Sequence, residues 1–134
     1  MPIKDREVEV LAAAANLVAA FARHDKAAYF SCFAFDATFI FHTCDHRLAS
    51  RSEYEKEWNA WEADGFQVLA CRSIDPNVKI ISDDVAIFTH SVETELAGVA
   101  QVQRERETIV FSRQPDGRWL GVHEHLSPDP AGLK

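Results

Sequence analysis

The stretch Gly117-Arg118-Trp119-Leu120-Gly121-Val122-His123-Glu124-His125-Leu126-Ser127, close to the end of the 134-residue chain, decides the fold. It begins in the turn sequence Pro115-Asp116-Gly117 and then alternates side-chain types as a strand does. By simple alternation, one face carries Trp119, Gly121, His123, His125 and Ser127, and the other carries Leu120, Val122, Glu124 and Leu126. We therefore predict a terminal strand with two imidazoles on one face.

Four further extended segments precede this strand. They are Phe66 to Ser73, Val78 to Ile81, Val85 to Leu96 and Arg104 to Arg113. The sequences Asp75-Pro76-Asn77 and Ser82-Asp83-Asp84 are predicted to form turns between the first three segments. Strands joined by such short turns form an antiparallel meander.

The first part of the chain is predicted to be mainly helical. Apolar residues recur every three or four positions from Asp5 to Arg23, which is typical of an amphipathic helix. Asp25 can cap a second helix, Lys26 to Phe33. Ala37 to His42 is rich in β-branched and aromatic residues and is predicted to be a strand.

A third helix is predicted before the meander. Ser50 or Ser52 can cap it, and the run Tyr54 to Glu62 contains no helix breaker. Helices followed by a meander favour an α+β fold with the helices packed on one face of a curved sheet. We predict one such domain over residues 1–134.

Composition and charge exclude several classes of partner. The chain is 47% hydrophobic and 26% charged, which fits a globular domain, and its net charge is −7 with no net basic segment. Nucleic acids and anionic membrane surfaces are bound by clustered Lys and Arg. Neither is therefore expected as a partner.

The cysteines Cys32, Cys44 and Cys71 are odd in number and lack a C-x-x-C spacing. This pattern disfavours a disulfide framework or a structural zinc site and favours a reducing compartment. The apolar run Val8 to Ala22 is interrupted by polar residues and is too short to span a bilayer. We predict a cytoplasmic protein.

Three motifs in this order resemble the NTF2-like superfamily. Asp36-Ala37-Thr38 opens a strand, Arg47 to Arg51 leads into a helix with Trp58, and the meander closes on W-x-x-x-H-x-H-x-S from Trp119 to Ser127. The pattern is most similar to the SnoaL-like branch, which includes bacterial relatives of the calcium/calmodulin-dependent kinase association domain. The resemblance implies a cone-shaped, ketosteroid isomerase-like fold. In that fold a bent antiparallel or mixed sheet leaves a cavity at its open end and pairs through its outer face into a homodimer.

The resemblance does not by itself imply one activity. The superfamily includes ketosteroid isomerases, polyketide cyclases, epoxide hydrolases, dehydratases and assembly domains, and fold does not determine function. The resemblance places Phe41 where ketosteroid isomerases carry their carboxylate base, and Phe21 in the helix region where they carry a tyrosine. Phenylalanine can neither take up a proton nor donate a hydrogen bond. Ketosteroid isomerisation is therefore disfavoured.

Three histidines are the candidate catalytic residues. If the strand face with His123 and His125 lines the cavity, its imidazoles could act as general acid or base, because histidine titrates near neutral pH. His90 is a further candidate that could orient the substrate. It lies on a strand face that resembles a cavity wall: Ala86, Phe88, His90, Val92 and Thr94. The alternative for all three is a structural role, hydrogen-bonded in the core or to a partner subunit.

Further residues are candidates for ligand binding. Trp58 and Trp61 lie three residues apart on the third helix, where they either pack the core or wall a cavity for an apolar ligand. Arg106 either reaches the cavity and binds a carboxylate or belongs to an exposed charge ladder. The cavity wall and rim are predicted to include Phe41, His42 and Phe88.

No metal or cofactor is expected. His42 and His46 have the H-x-x-x-H spacing, but it falls across a predicted turn and lacks a glutamate partner. The leading hypothesis is a homodimer that binds a small apolar organic molecule; if it is an enzyme, we expect cofactor-free isomerisation, cyclisation or dehydration. The alternative is a non-catalytic oligomerisation or regulatory module resembling the kinase association domain.

Overall fold

The computed structural model describes residues 2–130, which fold into a helical layer against one sheet. The helices are α1 (Ile3–Ala22), α2 (Lys26–Phe30) and α3 (Arg51–Ala63), and the strands are β1 (Phe33–Phe41), β2 (Val68–Ser82), β3 (Val85–Leu96), β4 (Gln103–Arg113) and β5 (Trp119–Pro128). Within residues 2–130, no helix is long and apolar enough to cross a membrane.

The sheet is mixed and strongly curved. Its strand order is β1-β5-β4-β3-β2, with β1 parallel to β5 and the other neighbouring pairs antiparallel. The α1 helix packs against β2 at one edge of the sheet, and α3 packs against β1 at the other edge. The sheet therefore wraps around the helices. The prediction of an α+β domain with N-terminal helices in a curved sheet is confirmed.

The β2 strand is long and irregular where two short strands were predicted. Phe66 to Ser73 and Val78 to Ile81 join into Val68–Ser82. Asp75-Pro76-Asn77 does not reverse the chain, because Asp75 takes a φ of 53° and the pairing with β3 shifts and then continues. An extra residue of this kind is a β-bulge, which bends a strand without ending it. The predicted turn was wrong for this reason.

The second helix is shorter than predicted and the first strand is longer. The Gly121 N–H donates a hydrogen bond of 2.9 Å to the Cys32 carbonyl, which brings the chain into the parallel pairing with β5 from Phe33 onward. The Phe33 ring is buried against Gly121. This pairing with the sheet ends α2 at Phe30.

Ser50, one of the two predicted alternatives, caps α3. Its Oγ accepts a hydrogen bond from the Glu53 N–H at 3.2 Å, and the Glu53 carboxylate accepts one from the Ala49 N–H at 2.7 Å. This reciprocal arrangement satisfies backbone donors at the start of the helix. Asp25 caps α2 as predicted, by accepting a hydrogen bond from the Ala28 N–H.

Aromatic side chains fill the closed end of the domain. On the inner face of the sheet, the face turned to the helices, five buried residues pack together: Phe33, Phe39, Phe88, Ile109 and Phe111. We call this cluster the packed end. Trp58 of α3 is fully buried among rings of the helical layer, with the Phe66 ring 5.0 Å away. The packed end holds the open end of the sheet in place.

Candidate functional site

Beyond the packed end, the helices and the inner sheet face surround a cavity of about 750 Å³. Its apolar lining includes Leu17, Phe21, Phe41, Trp61, Phe66 and Val92. Its polar lining includes Tyr29, His42, Tyr54, Glu105, Glu107 and Glu124. A cavity of this size, mostly apolar with a few polar groups, is typical of a site for a small organic ligand.

Two carboxyl groups, Glu107 of β4 and Glu124 of β5, lie together on the inner face. Burial, followed by the charge of Glu107, raises the pKa of Glu124 well above its ordinary value. Burial alone would raise the pKa of Glu107 as well. Hydrogen bonds from Glu124 and His90, together with the electrostatic attraction of His90, outweigh burial and lower the pKa of Glu107. The pair therefore shares one proton, which Glu124 holds.

Two tyrosines from the helices approach this pair. The hydroxyls of Tyr29 on α2 and Tyr54 on α3 are 2.9 Å apart, and Tyr29 also hydrogen-bonds Glu124. Burial raises the pKa of each tyrosine well above its ordinary value, and Glu124, once it has ionised at higher pH, raises it further. Both hydroxyls stay protonated near neutral pH and can donate hydrogen bonds.

His90 stands behind the carboxyl pair. Its Nε2 lies 2.6 Å from Glu107 Oε1, and its Nδ1 lies 2.6 Å from Ser73 Oγ. The side chain is completely buried. The β3 face that was expected to be a cavity wall is buried at Ala86, Phe88, His90, Val92 and Thr94, but of these five residues only Val92 and Thr94 line the cavity. His90 is separated from the ligand space by Glu107.

One atom of the pair is without a protein partner. Glu124 Oε1 is buried and has no hydrogen-bond partner among residues 2–130. Buried polar atoms are nearly always hydrogen-bonded, since an unpartnered one costs about 1–3 kcal/mol. Glu124 is also one of the residues that line the cavity.

The cavity rim carries a second carboxylate–histidine pair. His42 Nε2 lies 2.5 Å from Glu105 Oε2, and both side chains are partly exposed. Burial raises the pKa of Glu105, although the hydrogen bond and the charge of His42 oppose it. The other histidine of the H-x-x-x-H spacing, His46, instead contacts Asp45 at 2.7 Å.

His123 and His125 lie on the opposite face from the one that alternation assigned to them. Phe111 of β4 pairs with Gly121, and the residue before it, Val110, pairs with His123. Val122 therefore has no partner on β4 and is an extra residue. This bulge inverts the alternation after Gly121. His123 contacts Thr38 Oγ1 at 2.7 Å, and His125 is exposed. The premise that their face lines the cavity was wrong.

The structure distributes the predicted ligand-binding residues between the cavity, the core and the outer face. Phe41, His42 and Trp61 line the cavity. Trp58 and Phe88 are buried in the packed interior. Arg106 is exposed in a polar groove on the outer face, beside His125, and does not reach the cavity.

The prediction missed the three inner carboxylates. A signal for two of them was present, because Glu105 and Glu107 alternate in step with the apolar Ile109 and Phe111 of the same strand. Glu124 gave no such signal. It faces inward only because the bulge at Val122 inverts the alternation, and that bulge is a property of the folded sheet.

This architecture is that of the cone-shaped, cavity-bearing NTF2-like proteins. The SnoaL-like domain family matches residues 10–131, and the chain belongs to that family. Comparison with curated proteins gave no significant match.

Solved structures of low sequence identity share the fold. An NTF2-like protein of unknown function from Pseudomonas putida KT2440 is 19% identical with a TM-score of 0.77, over 98% of this chain and 93% of that one. A ketosteroid isomerase-like protein from Erwinia carotovora atroseptica is 19% identical, with a TM-score of 0.76 over 90% and 94%. The association domain of Caenorhabditis elegans CaMKII is 24% identical, with a TM-score of 0.72 over 92% and 96%. At these identities, the likeness shows the fold alone.

Proposed function

We propose that the protein binds a small, largely apolar organic molecule in the cavity and catalyses cofactor-free proton transfer on it. Isomerisation, cyclisation and dehydration are reactions of this kind. One observation carries the proposal: a buried carboxyl pair shares one proton in an apolar cavity, and Glu124 Oε1 lacks a protein partner among residues 2–130. Carboxyl groups with divergent pKa values are typical of acid/base sites.

The two carboxyl groups take complementary roles. Glu107, ionised and hydrogen-bonded by His90, accepts a proton from a carbon next to a ligand carbonyl. Glu124, neutral, donates its proton to the carbonyl oxygen, which gives an enol. Isomerisation is complete when Glu107 returns its proton to another carbon and the enol O–H returns its proton to Glu124. Dehydration is complete when a ligand hydroxyl takes the Glu107 proton and leaves as water, while the enol proton again returns to Glu124. The apolar walls strengthen both interactions by excluding water.

Proton exchange on a ketone tests this role directly. In D₂O, we expect the protein to catalyse deuteration of 2-tetralone beside its carbonyl, followed by NMR. Glu107→Gln should slow this exchange at least about 100-fold, as for loss of a general base. Binding of 2-naphthol, which mimics the enol, should persist when measured by isothermal titration calorimetry. The matched control is Asp64→Asn, another carboxyl that lines the cavity. An absence of exchange in the unaltered protein, or full exchange in Glu107→Gln, would refute the proposal.

We also propose that two copies pair through the outer sheet face. Ile40 on β1 and Ile74 on β2 are exposed there, on either side of the polar groove. Sedimentation should give a dimer. A larger ring that neither binds 2-naphthol nor exchanges 2-tetralone would instead support the alternative, a non-catalytic oligomerisation or regulatory module.

A reducing compartment such as the cytoplasm is part of the proposal. Cys32, Cys44 and Cys71 all carry free thiols in the described part of the chain. Burial is the largest influence on each thiol, and it raises the pKa of all three. They therefore suit a structural role better than nucleophilic catalysis.

A further inference from the structure

We propose that His90 and Ser73 form a relay that carries protons between the Glu107–Glu124 pair and solvent. The inference rests on the proposed function, because it supplies the proton path that such chemistry needs. Its geometry is a continuous chain of hydrogen bonds: Glu124 to Glu107, Glu107 to His90, and His90 to Ser73.

The two groups in the relay have the chemistry that proton transfer requires. An imidazole can take up a proton at one ring nitrogen and release one at the other, and both His90 nitrogens have a partner at 2.6 Å. A hydroxyl both donates and accepts a hydrogen bond, so Ser73 can pass a proton on without becoming charged.

The fold places the two ends of the relay in different environments. His90 on β3 is completely buried, whereas Ser73 lies on β2, the edge strand of the sheet, and is exposed. The chain of hydrogen bonds therefore leads from the interior to water at the sheet edge. Neither His90 nor Ser73 lines the cavity, so this path reaches water without crossing the ligand space.

Other titratable groups near the pair do not offer the same path. Glu105 on β4 is paired with His42 at the rim, and Tyr29 and Tyr54 are fully buried. Cys71 on β2 lines the cavity, but burial raises its pKa to about 11, so it holds its proton near neutral pH. Ser73 touches His90 and is exposed on the edge strand, and its hydroxyl is the group the relay uses.

A relay on this side matters most when a ligand fills the cavity. The ligand then displaces the water through which Glu107 could otherwise exchange protons. With the relay, Glu107 can exchange the proton it has taken from the ligand with solvent before the product leaves.

The exchange rate of the His90 ring protons with water, measured by NMR on protein with ¹⁵N-labelled histidine, tests the relay. Ser73→Ala should slow this exchange about 10-fold or more, and Ser73→Thr, which keeps the hydroxyl, should restore it. Ser91→Ala is the matched control, because Ser91 points to the outer face and pairs with Arg106. An unchanged rate in Ser73→Ala, or equal slowing in Ser91→Ala, would overturn the relay.

The test of the relay can be distinguished from the test of the proposed function, because the two use different measurements. Relay exchange is measured without ligand, and acid/base activity is measured by 2-tetralone deuteration. A Ser73-dependent rate in a protein without deuteration activity would disprove the activity and leave the proton path. Full deuteration with no dependence on Ser73 would disprove the relay alone.

Discussion

The two faces of the sheet carry similar residue types in opposite physical states. On the inner face, Glu107 and Glu124 are 9% and 2% exposed and their hydrogen bonds set where one proton resides. On the outer face, Glu93 pairs with Arg72 and Arg104, whose side chains are 46% and 53% exposed. Water screens exposed pairs and makes them weak, whereas buried carboxyls cannot both ionise. Burial, more than residue type, makes the inner face a site.

The difference between the faces depends on single residues that interrupt the alternation. In β5, Val122 is the extra residue that sends Glu124 inward and His125 outward.

Deletion of Val122 should have the largest effect. Without the extra residue, residues 123–128 would turn over, exposing Glu124 and Leu126 and burying His125. We expect no cooperative thermal transition by circular dichroism. Deletion of Ala100, an exposed residue between β3 and β4, is the control and should preserve the transition. A deletion variant that melts like the unaltered protein would show that the bulge does not fix the faces.

Truncation of inner-face phenylalanines should distinguish the packed end from the cavity. Phe111→Ala should lower the free energy of unfolding by about 3–5 kcal/mol, since it opens a void in a filled core. Phe41→Ala should cost less, about 2 kcal/mol, because Phe41 already borders the cavity. Urea denaturation measures both. Equal losses would mean that the cavity is filled in solution.

Gly121→Ala should destabilise the packed end by about 1–3 kcal/mol. A Cβ at this position would lie 2.7 Å from the Phe33 ring, which is itself buried. Combining the change with Phe33→Leu should recover part of the loss in a double-mutant cycle. Additive losses would indicate that the ring is not what requires a glycine here.

The sequence alone predicted a large part of this fold. Periodicity and caps placed α1, α3 and β3, and the motifs indicated the family. Alternation along β3 correctly identified the inner wall that contains His90. These features depend on local chain chemistry, which a single sequence contains.

The missed part of the site depends on contacts between distant segments. Strand alternation holds only until a bulge. The bulge at Val122 lies beside Gly121, and the Phe33 ring packs against the backbone of that glycine. That contact joins residues far apart in the chain and has no local signature. For this reason the sequence favoured His123 and His125, whereas the structure favours Glu124.

Replacing the protonated carboxyl should alter the pH dependence of stability more than stability itself. Because the folded pKa of Glu124 is raised, its protonated form contributes stability that is fully present below the unfolded pKa, about 4.5, and is lost as pH rises through the folded pKa. Glu124→Gln mimics the neutral acid and should flatten this decline above about pH 4.5. Denaturant midpoints at several pH values measure it. Asp36→Asn, which removes an exposed carboxylate, is the control and should leave the decline unchanged.

The smallest effect is expected on the outer face. His125→Ala should leave 2-naphthol binding and 2-tetralone deuteration within about twofold of the unaltered protein, and stability within about 0.5 kcal/mol, as for other exposed positions. The inner-face counterpart is His90→Phe, which keeps an aromatic ring but removes the hydrogen bond to Glu107 and should slow deuteration. If His125→Ala instead abolished deuteration and His90→Phe did not, the chemistry would belong to the outer groove. The division between a buried site and a screened surface would then be reversed, and the unpartnered Glu124 Oε1 would need another explanation.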